Sequence, residues 1–312
     1  MSDKISYLMT IYKEPLEWIK KSINSVLNQK VSNDFHIELI VIIDNPNIGK
    51  DIVNFLDSIE YAEFNYYINE ENIGLAKSLN KARNLASGIY LARLDADDFN
   101  HELRTIKQYE YINNNTEVDL LGSGITKIDL NENKLGESIL SDSFLKLKKD
   151  LGYKSICYHP TWFMKSIVFD SINGYRPYPN SQDLDFIIRA VENGFIVSNV
   201  TDPLVYYRLN ENSLSIKNSL RQRKCQNHIL KMRNIRMKNM NDNYNELAML
   251  KQLKSGVWID RIHNISQRIL LLSSKHKYKN KSLYFMLLIL SSILSPYQFL
   301  HFYRVAKRKL IK

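Results

Sequence analysis

The chain has 312 residues, of which 44% are hydrophobic and 24% charged, with two cysteines and a net charge of +10. That composition fits one large domain or two moderate ones with a substantial core, and it excludes a disulfide scaffold and a low-complexity chain. The charge is uneven: residues 215–312 hold 21 Lys and Arg against 3 Asp and Glu, a net of +18, which leaves −8 on residues 1–214. An acidic body followed by a basic tail points to two functional parts.

Met1 to Ser6 contains no apolar h-region, so a cytoplasmic protein without a secretory signal is expected. Ile5 to Met9 is a short apolar strand leading into Thr10-Ile11-Tyr12-Lys13-Glu14-Pro15. Pro15 opens a helical pattern with Leu16, Ile19, Ile23, Val26 and Leu27 on one face. Ile37 to Ile43 is almost wholly apolar, as a strand covered on both faces would be, and it stops at Asp44-Asn45-Pro46-Asn47. A helix over 51–58, a strand over 63–68, and a loop and helix through Asn72 to Ala86 follow. The next apolar run, Ile89 to Leu94, contains one Arg and ends abruptly at Asp95, Asp97 and Asp98.

This alternation predicts an α/β domain with a mostly parallel sheet, whose ligands bind at the carboxyl ends of the strands. Thr10–Tyr12, Asp44 and Asp95–Asp98 all fall at such ends. Three crowded carboxylates repel one another unless a cation sits among them, and hard oxygen ligands suit Mg²⁺ or Mn²⁺. A solvated turn capping the next helix is the competing reading of Asp95–Asp98, and the convergence of three stretches on one edge weighs against it.

Further along, helices are predicted near Leu103–Asn113, over 141–151 and near Lys165–Asp170, with a strand from Leu120 to Ile128. Ser181 is the expected N-cap of a helix opening with Gln182-Asp183-Leu184-Asp185. Two extended segments, Phe195–Asn199 and Leu204–Asn210, close the acidic body, and the charge shift places a boundary near residue 214.

Residues 217–281 read as basic helices. Leu283 to Leu294 is an apolar run of 12 residues ended by Pro296, too short to span a bilayer. The segment 282–303, with Tyr284, Phe285, Phe299 and Tyr303 beside Arg304, Lys307, Arg308 and Lys309, fits attachment to an anionic leaflet. A core helix with a solvated charge run is the alternative. Nucleic acid is not an expected partner, because no recognised module accompanies the positive charge.

Nine stretches in order resemble family 2 glycosyltransferases: Tyr7–Tyr12, Ser22–Gln29, Glu38–Asp44, Asn72–Ala76, Asn80–Ala86, Leu94–Asp98, His159-Pro-Thr161, Asn173-Gly-Tyr175, and Gln182–Asp185 with Arg189. The resemblance covers roughly residues 4–210 and implies an inverting, nucleotide-sugar-dependent enzyme of the GT-A fold. It implies a donor site, for a UDP-sugar, at Thr10, Ile11, Tyr12, Glu14, Asp44, Asn72, Gly74, Lys77, Asp95, Ala96 and Asp97. It also implies a Mn²⁺ or Mg²⁺ site at Asp95, Asp97 and Asp98, a catalytic base at Asp183, and acceptor-side roles for His159, Gln182 and Tyr175. The sequence departs from the family at Gln182, where Glu is common, and at Asn210, where Tyr207-Arg-Leu-Asn210 lacks the family's histidine. The expected reaction is sugar transfer to a polyprenyl-diphosphate-linked glycan, forming a β-linkage in O-antigen or capsule synthesis, by a protein attached peripherally to the inner face of the cell membrane. A non-catalytic nucleotide-sugar or membrane-binding protein on the same fold is the second reading.

Overall fold

The computed structural model describes residues 2–210, 218–276 and 279–310. They sort into two units: residues 2–151, 155–177 and 185–210 form the first, and residues 152–154, 178–184 and those from 218 onward form the second. The boundary expected near residue 214 lies outside the described residues.

In the first unit, β1 (Asp3–Ile11), α1 (Leu16–Leu27), β2 (Phe35–Ile43), α2 (Lys50–Asp57), β3 (Phe64–Ile68), α3 (Leu75–Leu85) and β4 (Tyr90–Arg93) alternate as predicted. Then come β5 (Phe99–Asn100), α4 (Arg104–Asn114), β6 (Leu120–Ile128), β7 (Lys134–Ser138) and α5 (Phe144–Asp150). A 3₁₀ turn (His159–Thr161), β8 (Phe163–Lys165), α6 (Ser166–Ser171), α7 (Gln182–Glu192) and β9 (Val197–Arg208) complete it. One sheet runs β3-β2-β1-β4-β8-β6-β9-β5, with β7 beside β6. The parallel pairs β1–β2, β1–β4, β2–β3 and β6–β9 carry most of the ladder.

Register decides where the site lies. Ile11 pairs with Ile43, so β1 and β2 end at one level, and Leu8 pairs with Arg93, so β4 ends on the same side of the sheet three residues earlier. The residues that follow them, Tyr12, Asp44 and Asp95, therefore emerge along one edge. The strands end there because Asp disfavours strand interiors, while Ile5, Met9, Leu39, Val41 and Ile43 are buried against α1 residues such as Ile19 and Ile23.

Three features differ from the sequence expectation. The segments Phe195–Asn199 and Leu204–Asn210 overlap the two ends of the single strand β9, which pairs with β6 through irregular register at Ser123–Ile125. The helix α7 starts after Ser181 as expected, but Ser181 has φ 61° and its buried hydroxyl has no hydrogen-bond partner among the described residues. It ends the preceding loop in a left-handed conformation rather than capping the helix. Finally, β5 and β8 are two and three residues long, too short to leave a periodic signal.

At the opposite end of the sheet, Glu38 is buried and accepts from the Ser87 backbone N–H and hydroxyl, both at 2.9 Å, and from Ser6. Gly88 fits this knot because a Cβ there would lie 2.7 Å from the Lys4 carbonyl oxygen and the Ser6 nitrogen. Gly88→Ala is expected to cost about 1–3 kcal/mol through backbone displacement, read as a lower urea midpoint with unchanged far-UV circular dichroism.

The second unit is helical: α8 (Ser219–Asn239), α9 (Glu246–Leu253), α10 (Val257–His276), α11 (Lys281–Leu294) and α12 (Pro296–Leu310). The apolar run of the sequence is α11, and Pro296 occupies the first position of α12, where its missing N–H costs nothing.

Candidate active site

Two clusters meet along the carboxyl edge of the sheet. The first surrounds Asp44, whose buried carboxylate accepts from the backbone N–H of Ile73 (2.9 Å) and Gly74 (2.8 Å) and from the Asn69 amide (2.9 Å). The Asn72 amide donates back to the Asp44 carbonyl at 3.0 Å. Asp44 thus fastens the loop ahead of α3 to the end of β2, and Gly74, at φ 85°, supplies the left-handed turn that lets two consecutive N–H groups face one carboxylate. Lys77 stands exposed one turn into α3. Beside this cluster is a cavity of about 510 Å³ lined by Tyr12, Lys13, Asn45, Pro46, Asn47, Glu70, Glu71 and Asn72.

The second cluster is acidic. Ligand atoms of Asp95, Asp97 and Asp98 lie within 4.8 Å of one another. Asp98 N–H closes a turn on the Asp95 carbonyl at 3.2 Å, and the Ser22 hydroxyl donates to the same carbonyl at 3.0 Å. Asp98 is buried; one oxygen accepts from the Arg208 backbone N–H at 2.8 Å, and the other has no partner among the described residues. Glu14 bridges the clusters, for its carboxylate accepts from Tyr12 N–H at 2.6 Å and raises the proton affinity of Asp97. Burial first, and then the charges of Asp95 and Glu14, push Asp97 up to about 7. Asp98 is pushed well above the ordinary carboxylate range by burial and by Asp97 and Asp95. A buried carboxylate oxygen without a donor, in a set of hard oxygen atoms, is what a divalent cation would complete. The residues fit such an ion.

Other sequence-assigned residues have clear structural roles. Ile11 and Ala96 turn into the core, so they can offer only backbone to a ligand. His159 Nε2 is 2.7 Å from the Tyr175 hydroxyl and its ring packs edge-on to Trp162. Burial, with the Arg93 charge, holds His159 well below its usual range, so it is neutral. Asp185 and Arg189 form an ion pair at 2.7 Å, and Arg189 donates to the Ile172 and Gly174 carbonyls at 2.6 and 2.7 Å. This pair holds the Asn173–Tyr175 turn. Gln182 and Asp183 occupy the first turn of α7, in the segment that sorts with the second unit.

Sequence reasoning missed the cations. Arg93 pairs with Asp95, while its Nε and Nη1, both buried, have no hydrogen-bond partner among the described residues. Arg208 donates from Nε to the Asp97 carbonyl at 3.0 Å and from Nη2 to Glu132 at 3.1 Å, and stacks over Trp18. A lone Arg in the apolar run 89–94 was the available signal, because buried Arg is rare without a partner.

A mostly parallel sheet with a cavity and a carboxylate cluster along one edge is the arrangement of a GT-A fold. The structure superposes on S. aureus TarS 1–349 in complex with UDP-GlcNAc with a TM-score of 0.61 and 14% identity, over 98% of this chain and 89% of that one. A longer TarS structure matches with TM-score 0.58, and this chain covers 53% of it. Residues 6–172 match the model of glycosyl transferase family 2, and the chain belongs to that family. An uncharacterized glycosyltransferase of Methanocaldococcus jannaschii is 35% identical over 66% of this chain and 70% of its own length. The O-antigen biosynthesis glycosyltransferase WbnJ of Escherichia coli is 29% identical over 73% and 88% respectively. The chain is a glycosyltransferase.

The raised Asp97 has a stability consequence. A carboxyl whose folded pKa lies near 7, above its ordinary 3.8, contributes stability below the ordinary value and loses it as pH rises through about 7. In chelator, Asp97→Asn should therefore melt higher than the parent above pH 7, with the gap closing as pH falls. Adding Mn²⁺ should reverse that order by raising the parent's melting temperature and leaving the variant's unchanged; thermal denaturation across pH reads both.

Proposed function

We propose that the enzyme moves a sugar from a UDP-sugar to a hydroxyl of a polyprenyl-diphosphate-linked glycan, with inversion, in surface-polysaccharide synthesis of the O-antigen or capsule type. The observation that carries this reading is the unpartnered, buried oxygen of Asp98 among three carboxylates, one bridge (Glu14) away from the cavity at Tyr12 and Asn72. The UDP-GlcNAc of the TarS complex and the O-antigen role in the name of WbnJ support the donor class and the pathway.

In this reading the base lies in the cavity beside Thr10–Tyr12. Asp44 already uses three of roughly four acceptor positions on the loop and retains one for a base N–H. Asn72, Gly74 and Lys77 flank the ribose and phosphates. Asp95, Asp97 and Asp98 would hold Mn²⁺ or Mg²⁺, which when bound supplies positive charge to the departing diphosphate. Asp183 takes the proton of the acceptor hydroxyl as that oxygen bonds to C1 and the bond from C1 to UDP breaks. A single in-line displacement converts an α-linked donor into a β-linked product. Neutral His159 with Tyr175, and Gln182, serve the acceptor side as hydrogen-bonding groups. The segment 282–303 holds the enzyme to the inner membrane surface, where a lipid-linked acceptor resides; among the described residues no helix is long and apolar enough to cross a membrane.

UDP release from a UDP-sugar panel, with Mn²⁺ and a lipid-diphosphate acceptor, tests this. Asp183→Asn should lower kcat by about 10²–10⁴ with donor affinity retained. Asp97→Ala should abolish Mn²⁺-dependent donor binding. Unchanged rates in both variants would sink the site assignment.

A further inference from the structure

The helices α10 and α11 are packed inside out. They run antiparallel, with His263 opposite Ser295 (2.8 Å) and Ser266 opposite Ser291. Each of the two serines donates to the other's backbone carbonyl, Ser266 at 2.8 Å and Ser291 at 2.9 Å, and both are 0% exposed. The seam between the helices thus carries polar side chains, with Leu287 buried one turn from Ser291. The hydrocarbon lies outside: Trp258 (74% exposed), Ile262, Ile265, Phe285, Ile289 and Ile293 (75%) are all open to solvent. On α10, positions 258, 262 and 265 follow the i, i+4, i+7 spacing of one helical face, so this is a continuous stripe.

A helix pair in water buries its apolar face and exposes its serines. The reverse order, with serine hydrogen bonds as glue and hydrocarbon facing out, is the arrangement that works where the surroundings are lipid. Length limits the depth. The 14 residues of α11 make about 21 Å, short of the hydrocarbon core of about 30 Å. The longer α10 carries Asp260, Arg261 and Arg268. The pair can enter one leaflet without crossing it, and Trp258, with Arg261 over its ring, suits the headgroup level.

Charge selects the occupant. Residues 257–312 contain 11 Lys and Arg and one acidic residue, Asp260. A second copy would set like charges against each other, whereas anionic phospholipid is complementary. We propose that the outer face of the α10–α11 hairpin is a docking surface for an anionic phospholipid leaflet, inserting Trp258, Ile265 and Ile289 into it. It rests on the membrane-surface part of the reading above and is independent of the transfer chemistry.

The test is flotation of the full chain with vesicles of phosphatidylcholine, with and without phosphatidylglycerol. The parent should float with the mixed vesicles, and Trp258 fluorescence should shift to the blue relative to a Trp258→Phe background. Ile265→Asp with Ile289→Asp, both at exposed positions, should weaken partitioning by at least about tenfold, with unchanged thermal unfolding and unchanged UDP release in vesicle-free assay. Equal partitioning of parent and variant, or none by the parent, overturns the inference. So does a parent that ignores vesicles but is a dimer that the variant makes monomeric, which would assign the face to a second copy. A parent that releases UDP without floating refutes the docking surface alone; one that floats without releasing UDP refutes the transfer reading alone.

Discussion

The structure depends on holding like charges together at the end of β4. Burial first, and then the charge of Asp95, raises the proton affinity of Glu14, Asp97 and Asp98; Glu14 adds to the effect on Asp97, and Asp97 to that on Asp98. Such a cluster survives only if the surrounding frame is rigid and cations answer it. Arg93 answers Asp95 from inside the sheet, and Arg208 from the end of β9 fixes both the backbone of Asp97 and the carboxylate of Asp98. A third arginine, Arg104, is fully buried and makes no ion pair among the described residues; it donates to the Arg93 and Trp162 carbonyls and to Asn100 and Gln108. It ties β4 to β8 directly beneath the acidic turn. Removing one partner from such a network leaves a buried charge uncompensated, which costs more than the pair contributes. The frame is therefore more exacting than the site it carries.

This constraint explains what Asn210 changes. Where the family pattern places histidine, this chain has Asn, yet the arginine two residues earlier still reaches both aspartates. The end of β9 thus braces the turn through backbone and carboxylate contacts, with no imidazole required for the geometry. It also explains why Asp44 is fastened to the Asn72–Gly74 loop. A loop whose N–H groups are already aimed at a carboxylate is ordered before any donor arrives, so less entropy is lost on binding.

Legibility followed length and periodicity. The strands β1, β2 and β6 are long, apolar and bounded by turn residues, and they were visible in the sequence, as was the order of acidic stretches along one edge. What escaped were features set by partners distant in sequence. Arg208 and Asp98 are 110 positions apart, and Asp185 and Arg189 hold the Asn173–Tyr175 turn. Ser181 has the right residue type and place for a cap, but the loop before it dictates a backbone in which its hydroxyl cannot reach the helix. The helix break at Ser295–Pro296 was legible; the serine seam was not, because 263, 266, 291 and 295 form a pattern only after the helices are paired.

The two halves of the chain solve opposite electrostatic problems. An acidic body carrying −8 is repelled by an anionic leaflet, and at physiological salt that repulsion reaches about 8 Å from the surface. A peripheral anchor for such a body needs more than hydrophobic area; it needs positive charge next to the inserted face. Residues 215–312 supply it at +18. In the proposed docking, hydrocarbon turned outward on α10 and α11 would act only at close range, once the basic residues had brought the helices to the surface. In that docking, charge governs the approach and the serine-seamed hairpin the depth, so the two contributions would separate by salt: raising ionic strength would remove the first and leave the second.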